Sequence, residues 1–285
     1  MSSFSAHWLS LREPVDHAAR NQQVQSKVIE QVLHNHQASD KPFKVLDLGC
    51  GSGSNLRALG PKLGLDQNWT LVDYDADLLA HARQTISHWA DRVLEDSEST
   101  LIVQIGNVGI RVRFVVLDLN QAIEDLLKES FDLVTAAALF DLVSQSWVDR
   151  FVGSLKSPLY VVLNFDGQMR WHPAHALDER VCVAFDHHQQ TDKGFGGPAL
   201  GPQASAYLQK TLHQRGYQSL IGSSPWVIDA AHRDLHAELM RGIASAAGET
   251  GQLGLAEIEQ WRKYHEHDDE CVIGHIDLYA AKPRG

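Results

Sequence analysis

The chain has 285 residues, with 36 acidic against 25 basic side chains and a net charge of −11. An apolar share of 44% supplies core enough for one large α/β domain and excludes disorder, while 9 Pro and 21 Gly exclude a low-complexity or fibrous chain. The acidic balance speaks against a nucleic-acid partner, because phosphate binding needs clustered Lys and Arg.

No uninterrupted apolar run reaches the 18 or so residues of a membrane span, so no membrane association is expected. The first residues, Met1 to Pro14, are too polar for the apolar region of a signal peptide. Cys50, Cys182 and Cys271 are odd in number, far apart and without C-x-x-C spacing. That suits a reducing cytoplasm, with neither disulfides nor a thiolate zinc site.

In chain order, Arg12 to Gln37 reads as helices, with Val24, Val28, Ile29, Val32 and Leu33 at amphipathic spacing until Pro42 breaks the pattern. Lys44 to Leu48 reads as a buried strand running into Gly49-Cys50-Gly51-Ser52-Gly53. A helix is predicted over Asn55 to Leu65, a strand over Trp69 to Asp73 and a helix over Ala76 to Trp89. Arg111 to Leu117, Phe131 to Ala137 and Leu159 to Asn164 read as strands, separated by helices at Gln121 to Lys128 and Val148 to Leu155. Asp166 to Leu200 holds four histidines, several glycines and little periodicity, and is predicted to be a long loop or lid. Gly201-Pro202 opens a helix that Gly216 stops. A strand at Tyr217 to Ile221, a mostly helical stretch from Asp229 to Glu270 and a last strand at Cys271 to Ala280 follow.

Strands alternating with helices predict an α/β fold with a doubly wound, mostly parallel sheet. Right-handed crossovers place the strands' C-terminal ends on one edge, where ligands bind. The expected organisation is a single domain, 1–285. It comprises an N-terminal helical cap (1–40), a binding core (41–165), a lid insertion (166–201) and a helical insertion (222–270) before the last strand.

The glycine turn after the first strand lets a ligand approach the backbone where a side chain would clash. A dinucleotide fingerprint needs its third glycine three residues after the second, whereas Gly53 follows Gly51 by two. Asp73, ending the second strand, is placed to accept two ribose hydroxyls. On these residues alone, a glycine turn suits any Rossmann-like sheet, and Asp73 or Asp118 is equally placed to cap a helix.

The run Val45-Leu46-Asp47-Leu48-Gly49-Cys50-Gly51-Ser52-Gly53 resembles the first motif of the class I S-adenosylmethionine-dependent methyltransferases. Leu71-Val72-Asp73-Tyr74-Asp75 resembles their second motif, Val115-Val116-Leu117-Asp118-Leu119 the third and Phe131 to Ala137 the fourth, in order across residues 44–164. The resemblance implies S-adenosyl-L-methionine as cofactor and a seven-stranded sheet whose last strand is antiparallel. It implies cofactor contacts at Asp47, Gly49, Gly51 and Gly53, at Asp73 and Tyr74 beside the ribose, and at Asp118 and Leu119 beside the adenine. Ala136 and Ala137 fall beside the methionine end.

Methyl transfer is an in-line displacement at a carbon already activated by positive sulfur. The protein's task is alignment, plus proton removal when the nucleophile is a hydroxyl or protonated amine. His187 or His188 in the lid suits proton removal at neutral pH, with Asp141 and Asp166 as alternatives. In a chain with 16 histidines, either is as readily an ordinary loop residue. His172 with His175, and His265 with His267, Asp268, Asp269 and Glu270, match no ligand motif, so no metal is expected. Cap, lid and helical insertion together are expected to roof a closed pocket for a small-molecule acceptor. Trp8, Trp171, Phe195, Trp226 and Trp261 would line that pocket or anchor the insertions. The rival reading is a catalytically silent S-adenosylmethionine-binding sensor or partner subunit, since cofactor motifs persist when transfer is lost.

Overall fold

A computed structural model of the chain describes residues 5–36, 41–267 and 270–283. Residues 1–4 and 37–40 of the expected cap, and Asp268 and Asp269, lie outside the described residues. Two helices open the chain, α1 (Ala6–Ala19) and α2 (Gln22–His36). Val24, Val28 and Val32 recur every fourth residue and give α2 a single buried stripe.

The binding core follows as β1 (Phe43–Leu48), α3 (Ser54–Leu63), β2 (Gln67–Asp73), α4 (Ala76–Trp89), β3 (Arg92–Asp96), β4 (Leu101–Ile105), β5 (Val108–Val116), α5 (Leu119–Leu126) and β6 (Leu133–Ala137). The remainder comprises α6 (Gln145–Ser154), β7 (Leu159–His172), α7 (Asp178–Gln189), α8 (Ala204–Gln214), β8 (Gln218–Ser223), β9 (Trp226–Asp229), α9 (Arg233–Glu249), α10 (Leu255–Tyr264) and β10 (Glu270–Ala281).

One sheet takes all these strands in the order β3-β4-β5-β2-β1-β6-β7-β10-β8, with β9 also paired to β10. β5, β2, β1, β6 and β7 run parallel, and β10 is antiparallel to β7, β8 and β9. The seven expected strands are therefore present as β5-β2-β1-β6-β7-β10-β8, with the last strand of the chain antiparallel. Three further strands were not anticipated. The β3–β4 hairpin extends one edge, and β3 is exposed along its whole length, so no apolar alternation announces it.

The stretch expected to be a lid departs further from the sequence reading. β7 does not stop at Asn164 but continues to His172, paired with β10 on both sides of an irregularity at 166–168. Its first seven residues are buried, because helices cover both faces of the sheet there. Beyond the sheet edge burial alternates: Met169 and Trp171 point inward, Arg170 and His172 outward, as in a strand covered on one face. α7 follows, burying Val181 and Ala184 against α9. Residues 173–177 and 190–200 remain irregular. α1, α7, α9 and β9 pack together beside the β7–β10 ribbon. Among the described residues no helix is long and apolar enough to cross a membrane.

Candidate active site

β1 is buried and ends where the chain turns through Gly49-Cys50-Gly51-Ser52-Gly53 into α3. Gly51 (φ 52°) and Gly53 (φ 75°) hold left-handed backbone that favours glycine. A Cβ on Gly53 would lie 3.0 Å from Ile86 Cδ1 of α4, so this glycine lets the turn pack on the neighbouring helix. A Cβ on Gly51 would lie 3.0 Å from Leu9 Cδ1 of α1, which roofs the turn.

Three acids stand at this edge in different electrostatic states. Asp47 is fully buried, and desolvation pushes its carboxyl up to about 7 despite the opposing influence of Asn55 and Arg20. Its Oδ1 accepts from Asn55 Nδ2 at 2.8 Å, and Arg20 Nη1 donates to Asn55 Oδ1 at 2.9 Å. Its Oδ2 and Arg20 Nε are buried without a hydrogen-bond partner. Asp73 accepts from the Gly51 N–H at 2.9 Å through Oδ2 and from the Asp75 N–H at 3.1 Å through Oδ1. Burial raises its carboxyl, and those two backbone bonds oppose the rise. Each oxygen keeps a lone pair for a hydroxyl donor. Asp118 caps α5, accepting from the Asn120 N–H and from Gln121 Nε2, both at 2.8 Å. The capping role and a place on the cleft coincide in this residue.

These groups line a cleft of about 1160 Å³, its open mouth included. Of the ten expected cofactor contacts, Asp47, Gly49, Gly51, Asp73, Tyr74, Asp118, Leu119 and Ala137 line it. Gly53 and Ala136 do not: the first packs on α4 and the second is 1% exposed inside β6. The roof comes from two places outside the binding core. Leu9, Arg12, Asp16 and Arg20 descend from one face of α1, and Lys193 and Phe195 reach in from the loop after α7. Ser144 Oγ donates to the Phe195 carbonyl at 2.7 Å, and the Phe195 ring meets Trp147 edge-on at 5.6 Å, which fixes that loop.

The four candidate bases are scattered. His187 pairs with Gln252 Nε2 at 2.7 Å and His188 Nε2 with Glu249 at 3.1 Å, so both face the helical insertion and neither lines the cleft. The cause is α7, whose C-terminal turn directs them toward α9 and the segment after it. Asp166 sits on the β7 ribbon over Gly274, holding the N–H of Gln168 at 2.9 Å. Asp141 lies in a short 3₁₀ turn after β6, between the cleft residues Leu139 and Leu142. It is buried with Oδ1 unpartnered, and desolvation raises its carboxyl to about 6.

Sequence reasoning missed Arg12, Arg20, Asn55 and Lys193. The spacing of Leu9, Arg12, Asp16 and Arg20, at three, four and four residues, is a helical stripe that carried the signal for the first two. Nothing local marks Lys193. Of the aromatic candidates, Phe195 lines the cleft, Trp226 holds Arg12, and Trp171 and Trp261 pack on each other at 5.2 Å within the insertions.

The donor set fits S-adenosylmethionine. A buried orphan carboxylate oxygen on Asp47 and an orphan Arg20 nitrogen suit its ammonium and carboxylate, and Asp73 suits the ribose. Residues 45–159 match the model of a family described as a methyltransferase domain. Those residues thus carry a methyltransferase domain. Similar solved structures include the YcgJ protein from Bacillus subtilis (14% identity, 93% of this chain and 100% of that one, TM-score 0.48). The cyclopropane synthase MmaA2 from Mycobacterium tuberculosis is similar at 14% identity over 97% of this chain and 94% of that one, with a TM-score of 0.47. A methyltransferase from Thiobacillus denitrificans, in complex with S-adenosylhomocysteine, is similar at 14% over 98% and 100%, with a TM-score of 0.46. No curated protein sequence matches the chain. The assignment rests on the domain match and on the chain's own sheet and site.

Proposed function

We propose that this single-domain chain transfers the methyl group of S-adenosylmethionine to a small-molecule acceptor, in the cytoplasm and without a nucleic-acid partner. One observation carries this reading: the cleft is roofed on both sides, by Leu9 and Arg12 from α1 and by Lys193 and Phe195 from the loop after α7. A roofed cleft favours a small acceptor over a macromolecular one. The net charge of −11 and the three free cysteines support the other two clauses.

In this reading Asp73 holds the ribose hydroxyls, and Asp118 and Leu119 flank the adenine. Asp47 and Arg20 take the ammonium and carboxylate of the methionine end. Asp141 is the group placed to receive the acceptor's proton, because it adjoins the cleft and its carboxyl sits near neutrality. The nucleophile bonds to the methyl carbon, the carbon–sulfur bond breaks toward sulfur, and the proton leaves to Asp141. The test is incubation with methyl-labelled S-adenosylmethionine and a cell extract separated by size. Label is expected in the small-molecule fraction. Label confined to protein or nucleic acid refutes the reading, and so does S-adenosylhomocysteine failing to form with any fraction.

A further inference from the structure

Besides the groups assigned above to the cofactor, the cleft carries a clamped arginine. Arg12 lines the cleft from α1 with its side chain 12% exposed. Its Nε donates to Asp16 Oδ2 at 2.8 Å, and its guanidinium lies 5.3 Å from the centroid of the Trp226 ring. Trp226 Nε1 in turn donates to Asp16 Oδ1 at 2.9 Å. Asp16 and Trp226 are themselves buried. The side chain is therefore held in one place with its long rotamer freedom already lost, which is how a recognition arginine is made ready.

The clamp uses Nε and one face of the guanidinium. Among the described residues neither Nη group has a hydrogen-bond partner. The arginine's charge acts on Asp141, after β6, and on His275, in β10. Each of those two keeps a buried atom without a partner, Asp141 Oδ1 and His275 Nδ1. Burial holds His275 neutral, its ring lowered to about 3. The Trp226 ring under Arg12 also meets His275 at 4.9 Å, and Asp141 lies between the cleft-lining Leu139 and Leu142, so both unsatisfied groups adjoin the wall that carries the donor fork. Lys193 also lines the cleft, donating to the His188 carbonyl at 3.0 Å and Thr191 Oγ1 at 2.9 Å, with Glu249 as its acidic neighbour.

A planar Nη fork matches a carboxylate bidentately. The cofactor's own carboxylate is not needed to explain it, because Arg20, eight residues on and just past the end of α1, stands beside Asn55 and Asp47 with its Nε free. Building on the methyl-transfer reading above, we propose that the acceptor is a small carboxylic acid. Its carboxylate is taken by the Nη fork of Arg12, and its hydroxyl or amine is turned toward Asp141.

The experiment starts from protein saturated with S-adenosylhomocysteine, followed by thermal shift and calorimetry. The probes are small hydroxy- and amino-carboxylic acids, each with its primary amide as control. At least one acid is expected to stabilise the saturated protein while its amide does not, and to accept label from methyl-labelled cofactor. Arg12→Gln is expected to weaken that acid at least tenfold and leave S-adenosylhomocysteine affinity within twofold, which also certifies the fold. Arg12→Lys, which keeps the charge and loses the fork, is expected to fall between. Three results overturn the proposal: amides binding as well as acids, no acid binding, or S-adenosylhomocysteine weakening in step in Arg12→Gln. The last would place the cofactor's carboxylate on Arg12. Failure of wild-type protein to bind S-adenosylhomocysteine refutes the methyl-transfer reading itself, and it shows before any acid is added.

Discussion

The sheet from β5 to β6 and the ribbon of β7, β10 and β9 meet at the same cleft but are built by different rules. In the first, the parallel strands β2, β1 and β6 are almost wholly buried and only β5 alternates with exposed residues, and each strand has a cleft-lining residue at its own end: Gly49 after β1, Asp73 at the end of β2, Asp118 after β5, Ala137 at the end of β6. The group and the strand that positions it are neighbours in sequence. In the second, β7 and β10 outrun the sheet and serve as a frame for α1, α7 and α9. Its polar groups (Arg12, Asp141, Trp226, His275) come from four places in the chain and meet only on folding. In the proposed reading, parallel strands localise the cofactor half, while the acceptor half depends on long-range packing.

The comparison breaks most visibly at Gly51. A valine there must adopt φ near 52°, crowd Leu9 of the roof and disturb the N–H that Asp73 holds. Gly51→Val is expected to abolish measurable S-adenosylhomocysteine binding in calorimetry, with far-ultraviolet circular dichroism unchanged. Retained binding would mean that the turn is not the cofactor cradle.

Asp141 sharpens the other half and has two readouts. As proton acceptor, its replacement by Asn should lower turnover by roughly 10²–10⁴-fold while S-adenosylhomocysteine binding persists. Stability should move the opposite way. Burial raises the folded-state carboxyl to about 6 from 3.8, so the folded form prefers the protonated acid. Below about pH 4 the group is protonated folded or unfolded and imposes no penalty. As pH rises to 6, the unfolded chain ionises first and wild type loses stability, on the order of 3 kcal/mol. Asn does not titrate. Urea melts should show Asp141→Asn more stable than wild type above pH 6, with the gap closing toward pH 4.

How much of this was readable beforehand follows the same division. β1, β2, β6 and α4 were readable to within a few residues, because a strand covered on both faces is one apolar run and α4 shows Leu78, Leu79, Ala82 and Ile86 on one side. Eight of the ten residues nominated by the motifs line the cleft. The lid did not. Its histidines and glycines drew attention away from the alternation of Met169, Arg170, Trp171 and His172, which is an ordinary half-buried strand, and from the buried pair Val181 and Ala184 of α7. Arg12 was invisible as a site residue because what fixes it, Trp226, lies 214 positions away.

Asp73→Ala gives the next effect in size. It removes an ionised acceptor for two hydroxyls, each charge-assisted bond being worth roughly 1.5–3 kcal/mol. It also frees the N–H groups of Gly51 and Asp75. Calorimetric affinity for S-adenosylhomocysteine should fall at least tenfold. Asp73→Asn, which keeps one acceptor oxygen and donates from the other position, should fall less than Ala. Unchanged affinity in a folded Asp73→Ala protein would detach the second motif from the site.

The smallest effect is expected where the sequence pointed most insistently. His187 and His188 end α7 facing away from the cleft, bonded to Gln252 and Glu249. Glu249 is well exposed, and an ion pair of that kind contributes at most about 1 kcal/mol. Lys193 links this turn to the cleft, and it bonds the backbone carbonyl of His188, which a side-chain substitution leaves in place. His187→Ala and His188→Ala should therefore keep turnover within about twofold of wild type and lose only a few degrees of Tm. The pH profile of turnover should keep its acidic limb in both variants, since Asp141 and not a histidine supplies it. Loss of that limb in either histidine variant would move proton removal back to α7 and require the loop at 190–200 to carry the helix end over the cleft during turnover.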